Sequence, residues 1–501
     1  MFEKCITRSE LLRCALCKDA PCTAACGTLD PARILRSLWF DDEKIAAASF
    51  PDNNPCAVCA APCEEACVRA HQVPIRCLLT RVHGEVKPQL EISLPEDERR
   101  LQTELCGIPL ENPFLLSSSV VASTYDMCAR AFEAGWAGAA FKTICSFPIH
   151  EASPRFSAIA GDNGGIIVFM NSEQLSDHSV AENMEIFRRL KENFPHKFIL
   201  ASIMGQNDAE WEELSCLCEE NGADAVELNF SCPNMADDGL GSDIGQVPEL
   251  VERFASAARR GTKLPILAKL TPNVAAMSPA AEAARRGGAD GIAAINTIKS
   301  IIGVNPHTYV SSPAVHGRSA VGGYSGNAVK PIALRFIAEL AQNRALQGMH
   351  LSAMGGVETW ADALEFILLG AGSIQVTTAV MQYGYRIIGD LKQGLNYYLA
   401  EKGFAHVGEA VGLALDSVSD STDVLERDTV VFPKFHRERC IGCGRCAISC
   451  ADGGHQAVRL TDDRKPVLDG RKCVGCHLCV LVCPQKAITA SRKRIKREHN
   501  A

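Results

Sequence analysis

The chain has 501 residues, 47% of them apolar and 22% charged, with a formal net charge of −8. At about 150 residues per domain this suggests about three domains with apolar surface for a sizeable core, which excludes a disordered chain. The acidic balance excludes a general nucleic-acid or anionic-membrane surface, and no run approaches the roughly 18 consecutive apolar residues of a membrane span.

The opening segment, Met1 to Arg8, lacks the apolar core of a signal peptide, so a cytoplasmic protein is expected. A reducing cytosol disfavours disulfides, and the 24 cysteines are expected to ligate metal instead. Ten lie in residues 1–80, eight in 440–483 and six between. The N-terminal spacing is Cys14-x2-Cys17-x4-Cys22-x3-Cys26, then Cys59-x3-Cys63-x3-Cys67, with Cys77 beyond. Helical x3 spacing puts successive thiols on one face. Helix-favouring stretches run from Pro31 to Phe40 and from Asp42 to Ser49. Cys-Ala-Leu-Cys-Lys-Asp-Ala-Pro-Cys and Cys-Ala-Ala-Pro-Cys-Glu-Glu-Ala-Cys resemble the N-terminal iron–sulfur domain shared by dihydropyrimidine dehydrogenases and the glutamate synthase small subunit. The resemblance implies a helical domain over 1–85 with two [4Fe–4S] clusters. Arg81 stands where dihydropyrimidine dehydrogenase has a ligating Gln, and Arg81 cannot ligate iron. Cys77, one helical turn earlier, is the candidate replacement, ahead of Cys56. A structural zinc domain is the alternative.

A polar segment from Lys87 to Thr103 reads as a linker. From about 104 to 405, short β-branched runs alternate with amphipathic helical runs. Candidate strands end near Ser119, Thr143, Asn171, Met204, Phe230, Leu270, Thr297, Met354 and Thr378. Helical patterns cover Asp208 to Asn221, Pro248 to Arg260, Pro279 to Gly287, Ala328 to Gln342 and Thr359 to Leu369. Alternation of about eight units predicts a (β/α)8 barrel. A doubly wound sheet is the alternative, disfavoured because no Gly-x-Gly-x-x-Gly follows an early strand.

Polar residues gather at the predicted strand ends: Lys142 and Thr143, Asn171, Asn229, Lys269, Asn296 and Thr297, Gly355 and Gly356, Thr377 and Thr378. Strand C-termini form the active face of such barrels. Gly355-Gly356 and Thr377-Thr378 fit a phosphate cradle suited to a mononucleotide such as FMN. Leu-Asn-Phe-Ser-Cys-Pro (228–233), Lys-Leu-Thr-Pro-Asn (269–273), Gly-Gly-Tyr-Ser-Gly-Asn-Ala-Val-Lys-Pro (322–331) and Met-Gly-Gly (354–356) resemble the dihydroorotate/dihydropyrimidine dehydrogenase barrel. Met-Asn-Ser-Glu-Gln-Leu-Ser (170–176) and Ser-Pro-Arg-Phe (153–156) favour the dihydropyrimidine branch.

The resemblance implies FMN held with Ser118 and Gly326 added to the cradle, Lys269 near the flavin N1, and Cys232 as the acid that protonates pyrimidine C5. Asn171, Asn229 and Asn296 match the alternating C=O and N–H edge of uracil or thymine, and Ser231 and Thr297 add hydroxyls. Cys145 is a minor alternative acid. The scattered thiols Cys5, Cys106, Cys128, Cys216 and Cys218 read as packing residues. After Ser-Cys-Pro the loop reads Asn234-Met235-Ala236-Asp237-Asp238-Gly239 rather than the family's His-Gly-Met, a form met in dihydroorotate dehydrogenases.

A second polar stretch, Asp416 to Asp428, leads to a Cys-rich end over about 430–490. There Cys440-x2-Cys443-x2-Cys446-x3-Cys450 is followed by Cys473-x2-Cys476-x2-Cys479-x3-Cys483-Pro484. In such a pair of runs the fourth Cys ligates the other cube. One cluster is then Cys440, Cys443, Cys446 and Cys483; the other is Cys473, Cys476, Cys479 and Cys450. This resembles a bacterial ferredoxin with two [4Fe–4S] clusters, against a pair of zinc knuckles. The tail, Arg492 to Arg497, reads as a solvated basic terminus.

Together these features predict an FMN and iron–sulfur oxidoreductase reducing uracil or thymine to the 5,6-dihydro form. Without a nicotinamide fingerprint, its electrons are expected from an NAD(P)H-oxidising FAD subunit or a ferredoxin, in a homodimer or heterotetramer. Dihydroorotate oxidation and a non-catalytic electron relay are the alternatives.

Overall fold

Eight short parallel strands close into a barrel, each hydrogen-bonded to the next and the last to the first. They are β1 (Phe114–Leu116), β2 (Gly138–Ala140), β3 (Phe198–Ile203), β4 (Ala225–Phe230), β5 (Ile266–Leu270), β6 (Gly291–Ala294), β7 (His350–Met354) and β8 (Ser373–Val376). The computed structural model describes residues 8–161, 165–235 and 240–496. Strands this short pack closely only where side chains permit. A Cβ on Gly138 would lie 2.3 Å from the Phe198 carbonyl oxygen, so β2 approaches β3 because that position is glycine.

The expected helices form between strands, at Asp208–Glu220, Pro248–Gly261, Ser278–Arg286, Lys330–Gln342 and Trp360–Leu368. Their starts follow local chemistry. Asn207 caps the first through the Glu210 amide, and Thr359 with Asp362 forms a capping box on the last.

One expectation is corrected. The strand ending at Asn171 (Ile166–Asn171) is not a barrel stave. It lies in a separate antiparallel sheet with Phe156–Ala160, Gly322–Ser325 and Ile298–Ser300. A polar residue at a strand end does not by itself say which sheet that strand joins.

The N-terminal region is helical, at Pro21–Cys26, Pro31–Trp39, Glu43–Ala48, Pro62–Glu65 and Ile75–Arg81. Asp30 and Asp42 cap the second and third by accepting from the amides of Arg33 and Ile45. This region packs onto the barrel, and residues through Val418 form one compact unit. Phe40 belongs to the barrel's apolar core and meets the Tyr383 ring edge-on at 5.1 Å. Arg36 pairs with Asp390 at 2.5 Å and Lys44 with Glu401. The stretch expected to be a loose linker is anchored too: Leu101 is fully buried, and the Asn396 amide donates to the Asp97 carbonyl at 3.0 Å.

Residues from Ser419 form a second unit. Thr429–Phe435 pairs antiparallel with Ile488–Lys496, and Val458–Leu460 with Pro466–Leu468. The basic tail forms a strand as far as Lys496 with the side chains of Arg492 to Lys496 exposed, while Arg497 lies outside the described residues. Cys5 and the loop positions Ala236 to Gly239 also lie outside them. Cys128 and Cys218 are fully buried, as packing thiols should be.

Candidate active site

The C-terminal ends of the barrel strands surround a cavity, and the separate sheet contributes Phe156, Phe169, Asn171 and Tyr324 to its wall. Of the residues singled out in the sequence, Ser118, Lys142, Thr143, Asn171, Asn229, Cys232, Lys269, Asn296, Thr297, Gly326, Gly355, Gly356, Thr377 and Thr378 all line it. Ser231 is buried behind them, and its hydroxyl donates to Asn229 Oδ1 and accepts from Asn296 Nδ2, both at 2.8 Å. The Thr143 hydroxyl accepts from Asn229 Nδ2 at 2.8 Å. This network fixes the rotamers of two amides. The Cys145 thiol instead points to the Phe147 carbonyl at 3.3 Å.

Cys232 follows β4 and is buried; its carbonyl accepts from the Ser242 amide at 2.9 Å. Burial pushes its thiol up to about 11, opposed by the Asn234 backbone N–H and by Lys269 and Lys142. The thiol therefore carries its proton at neutral pH. Asn234 ties the following loop to the sheet, donating to the Glu173 carbonyl at 2.7 Å and to Asn171 Oδ1 at 3.2 Å.

Both lining lysines are held by carboxylates. Lys142 lies 2.8 Å from Glu173 and 3.6 Å from Glu151, with Arg155 2.9 Å from Glu173. Lys269 donates to the Ser118 hydroxyl at 2.7 Å and lies 3.6 Å from fully buried Glu227, which also accepts from Gln375 at 3.1 Å. The sequence reading passed over Glu173, Glu227 and Gln375. A signal for the last two existed: each precedes a recognised polar residue (Asn229, Thr377) by two along a strand, the spacing that points both side chains into the barrel.

At one end of the cavity Gly355 and Gly356 adopt φ of 118° and 85°, a conformation that side chains disfavour. A Cβ on Gly356 would lie 2.9 Å from the Lys330 backbone nitrogen. Gly326, Thr377 and Thr378 complete this bare polar pocket, which suits a phosphate. Deeper in the cavity Gln375 Oε1 is buried without a hydrogen-bond partner among the described residues. A flavin mononucleotide, with a phosphate at one end and a hydrogen-bonding ring at the other, fits these residues.

The cysteines fall into quartets. Cys440, Cys443, Cys446 and Cys483 line one cavity. Burial raises Cys479 to about 11, and neighbouring Cys473, Cys476, Cys446 and Cys450 add to the rise. The two runs are held alike: Gly442 and Gly475 amides donate to Cys440 and Cys473 sulfurs at 3.4 Å, and Ala457 and Ala487 amides to Cys450 and Cys483 at 3.2 Å. Cys14, Cys17, Cys22 and Cys67 line another cavity beside Arg386, whose guanidinium donates to the Leu16 and Cys17 carbonyls. Burial raises Cys56 to about 12, with Cys59, Cys26 and Cys63 adding to it. Cys77 is exposed, whereas Cys56 is buried with Cys26, Cys59 and Cys63 as neighbours. Among the described residues no three His, Cys, Asp or Glu converge tightly enough for a single metal ion. The open quartets suit a larger body such as an iron–sulfur cube.

The dihydroorotate dehydrogenase family profile matches residues 100–399, and a 4Fe-4S dicluster domain profile matches 434–490. The Escherichia coli NAD-dependent dihydropyrimidine dehydrogenase subunit PreA is 51% identical over 362 residues, covering 72% of this chain and 88% of that protein. This chain belongs to the dihydropyrimidine dehydrogenase family. The chloroplastic dihydropyrimidine dehydrogenase (NADP(+)) of Arabidopsis thaliana is 35% identical, covering 67% of this chain and 82% of its own. A Pyrococcus abyssi dihydroorotate dehydrogenase B (NAD(+)) catalytic subunit is 38% identical, over 63% of this chain and 99% of its own. Among solved structures, an Eimeria tenella dihydroorotate dehydrogenase (DHODH) bound to ferulenol superposes with a TM-score of 0.54 at 19% identity, over 65% of this chain and 92% of that one. That likeness speaks to the barrel alone. As a dihydropyrimidine dehydrogenase the chain is an oxidoreductase, with a flavin-type barrel and a ferredoxin unit. Neither family profile reaches N-terminal of residue 100.

Proposed function

We propose that this enzyme reduces the 5,6 double bond of uracil or thymine, with Cys232 delivering the proton to C5. FMN, when bound along Gly326, Gly355, Gly356, Thr377, Thr378 and Lys269, supplies the hydride. The observation that carries the reading is the charge state of the wall. Its two lysines, Lys142 and Lys269, are already neutralised by Glu173, Glu151 and Glu227, which leaves no spare lining cation among the described residues for the carboxylate of dihydroorotate. A neutral pyrimidine needs none.

The amides do the recognising. Among the described residues Asn171 Nδ2 donates only to the Gly323 carbonyl, Asn229 Nδ2 to Thr143 and Asn296 Nδ2 to Ser231, so each retains one N–H for a pyrimidine carbonyl. Asn296 Oδ1 accepts from the Thr297 amide and keeps a lone pair for a ring N–H. Cys232, protonated and buried at the cavity wall, holds the proton until charge develops at C5. Lys269, fixed by Ser118 and Glu227, is placed to donate a hydrogen bond to the flavin ring.

Electrons reach the barrel through the cysteine quartets, which hold [4Fe–4S] clusters: two in the C-terminal unit and two in the N-terminal region. A cytoplasmic partner, an NAD(P)H-oxidising flavoprotein or a ferredoxin, docks near the N-terminal quartets. The exposed apolar tip of Ala57, Val58 and Ala60, beside Cys59, supports that placement. The test is anaerobic. Enzyme reduced by an artificial one-electron donor should be reoxidised by uracil or thymine, dihydroorotate should not reduce the oxidised enzyme, and NADH or NADPH alone should drive no turnover. Reduction of the flavin by dihydroorotate, at a rate matching uracil reduction, would overturn the substrate assignment.

A further inference from the structure

Cys56 sits in the middle of the short 3-10 turn Pro55–Ala57, where Asn54 Oδ1 accepts its amide at 3.0 Å. Its side chain is only 5% exposed, within an apolar cluster that takes in Cys14, Cys22, Cys26, Cys59, Cys63 and Cys67, of which Cys14, Cys22 and Cys67 line the separate cavity beside Arg386. The Cys59 sulfur approaches the Cys56 carbonyl to 3.7 Å. Cys77 has the opposite setting. On the helix Ile75–Arg81, Ile75, Leu78 and Leu79 form the buried face, while Arg76 and Cys77 face solvent. At about 100° per residue Cys77 points away from the buried face, so turning it inward would need nearly half a turn of that helix, which would expose Ile75 and Leu79. Arg81 is committed to Glu85 at 3.0 Å, and a guanidinium has no lone pair to offer iron.

We propose that Cys56 is the fourth ligand of an all-cysteine cluster completed by Cys26, Cys59 and Cys63, and that Cys77 binds no metal. This rests on the reading that the N-terminal region holds two cubes. It divides the eight N-terminal ligands into two quartets, with Cys14, Cys17, Cys22 and Cys67 forming the one beside Arg386. A fourth thiolate in place of a neutral side chain adds negative charge to the cluster, which lowers its reduction potential.

The experiment uses the full chain reconstituted anaerobically, with iron analysis, Mössbauer and low-temperature EPR spectra. The unaltered chain should hold about sixteen irons, four per cube. Cys56→Ala should lose one cubane signal, either falling to about twelve irons or leaving a three-iron species visible by EPR when oxidised. Cys59→Ala should match it, and Cys77→Ala should match the unaltered chain. Cys56→Ser should retain a cube through its oxygen but with a shifted spectrum, a rescue that a merely structural cysteine would not produce. The cube of Cys14, Cys17, Cys22 and Cys67 reports folding of the N-terminal region in every variant. A full set of cubanes in Cys56→Ala, or loss of one in Cys77→Ala, would overturn the assignment. About eight irons in the unaltered chain would instead remove the two-cube reading, and the assignment with it.

Discussion

A thiol pushed up to about 11 by burial is a proton store. Because the raised value lies above neutral pH, the protonated, active form persists as pH climbs through 7 to 9 and is lost only as pH nears the folded value. Uracil-dependent turnover limited by this step should therefore stay level from pH 7 to 9, whereas an ordinary thiol, near 8.5, would already be failing. Cys232→Ala should keep flavin and clusters but lose about 10²–10⁴-fold in turnover, the usual worth of a general acid; near-normal kcat in that variant would remove Cys232 from the chemistry. Glu227 carries a different burden. It is fully buried against Lys269, so Glu227→Leu strands a cation in a dry barrel and should lower stability by about 3–5 kcal/mol, read by denaturant titration.

At the scale of elements, sequence period and capping residues made the barrel and its helices legible, because strand–helix alternation and N-caps are local. The sheet holding Asn171 was not legible: beyond the local hairpin with Phe156–Ala160, its strand pairs with a segment far along the chain, Asn171 opposite Gly323, and no local pattern encodes that partner. The candidate site was readable where polar residues stood at strand ends, and unreadable where a buried carboxylate hid in an apolar strand. Cys56 ranks behind Cys77 in the sequence for a related reason. Its spacing looks no better than that of Cys77, and only the burial of Leu78 and Leu79 decides which thiol faces inward. The opposite end of the barrel has its own titratable group. His350 on β7 is partly buried, with its ring 2.9 Å from the Ser373 hydroxyl, and desolvation of the ring lowers it to about 4. It is neutral in the fold and gains a proton more readily when unfolded. Its contribution is therefore complete above about pH 6.5 and is lost as pH falls toward 4, on the order of 3 kcal/mol. His350→Gln should flatten that acid-limb loss in thermal melts; an unchanged slope would exclude the histidine as its source.

Over the whole molecule the two cluster regions differ in independence. The C-terminal unit is compact by itself, so a chain ending at Val418 should fold, bind flavin and hold about eight irons. Removing residues 1–99 should not yield a sound barrel, because Phe40 and Arg36 leave with the segment. Comparing flavin content and melting of the two truncations checks both statements. Equal stability would contradict the shared core.

Phe40, reached from the cysteine-bearing helices and seated in the barrel's core, links maturation to nutrition. On the proposed reading, a newly made chain starved of iron lacks the clusters that would hold its N-terminal helices together, and so lacks the surface that closes one side of the barrel. Metal insertion then acts as a folding step for a domain that binds no metal, and flavin content of the purified protein should track the iron supplied during growth rather than the riboflavin.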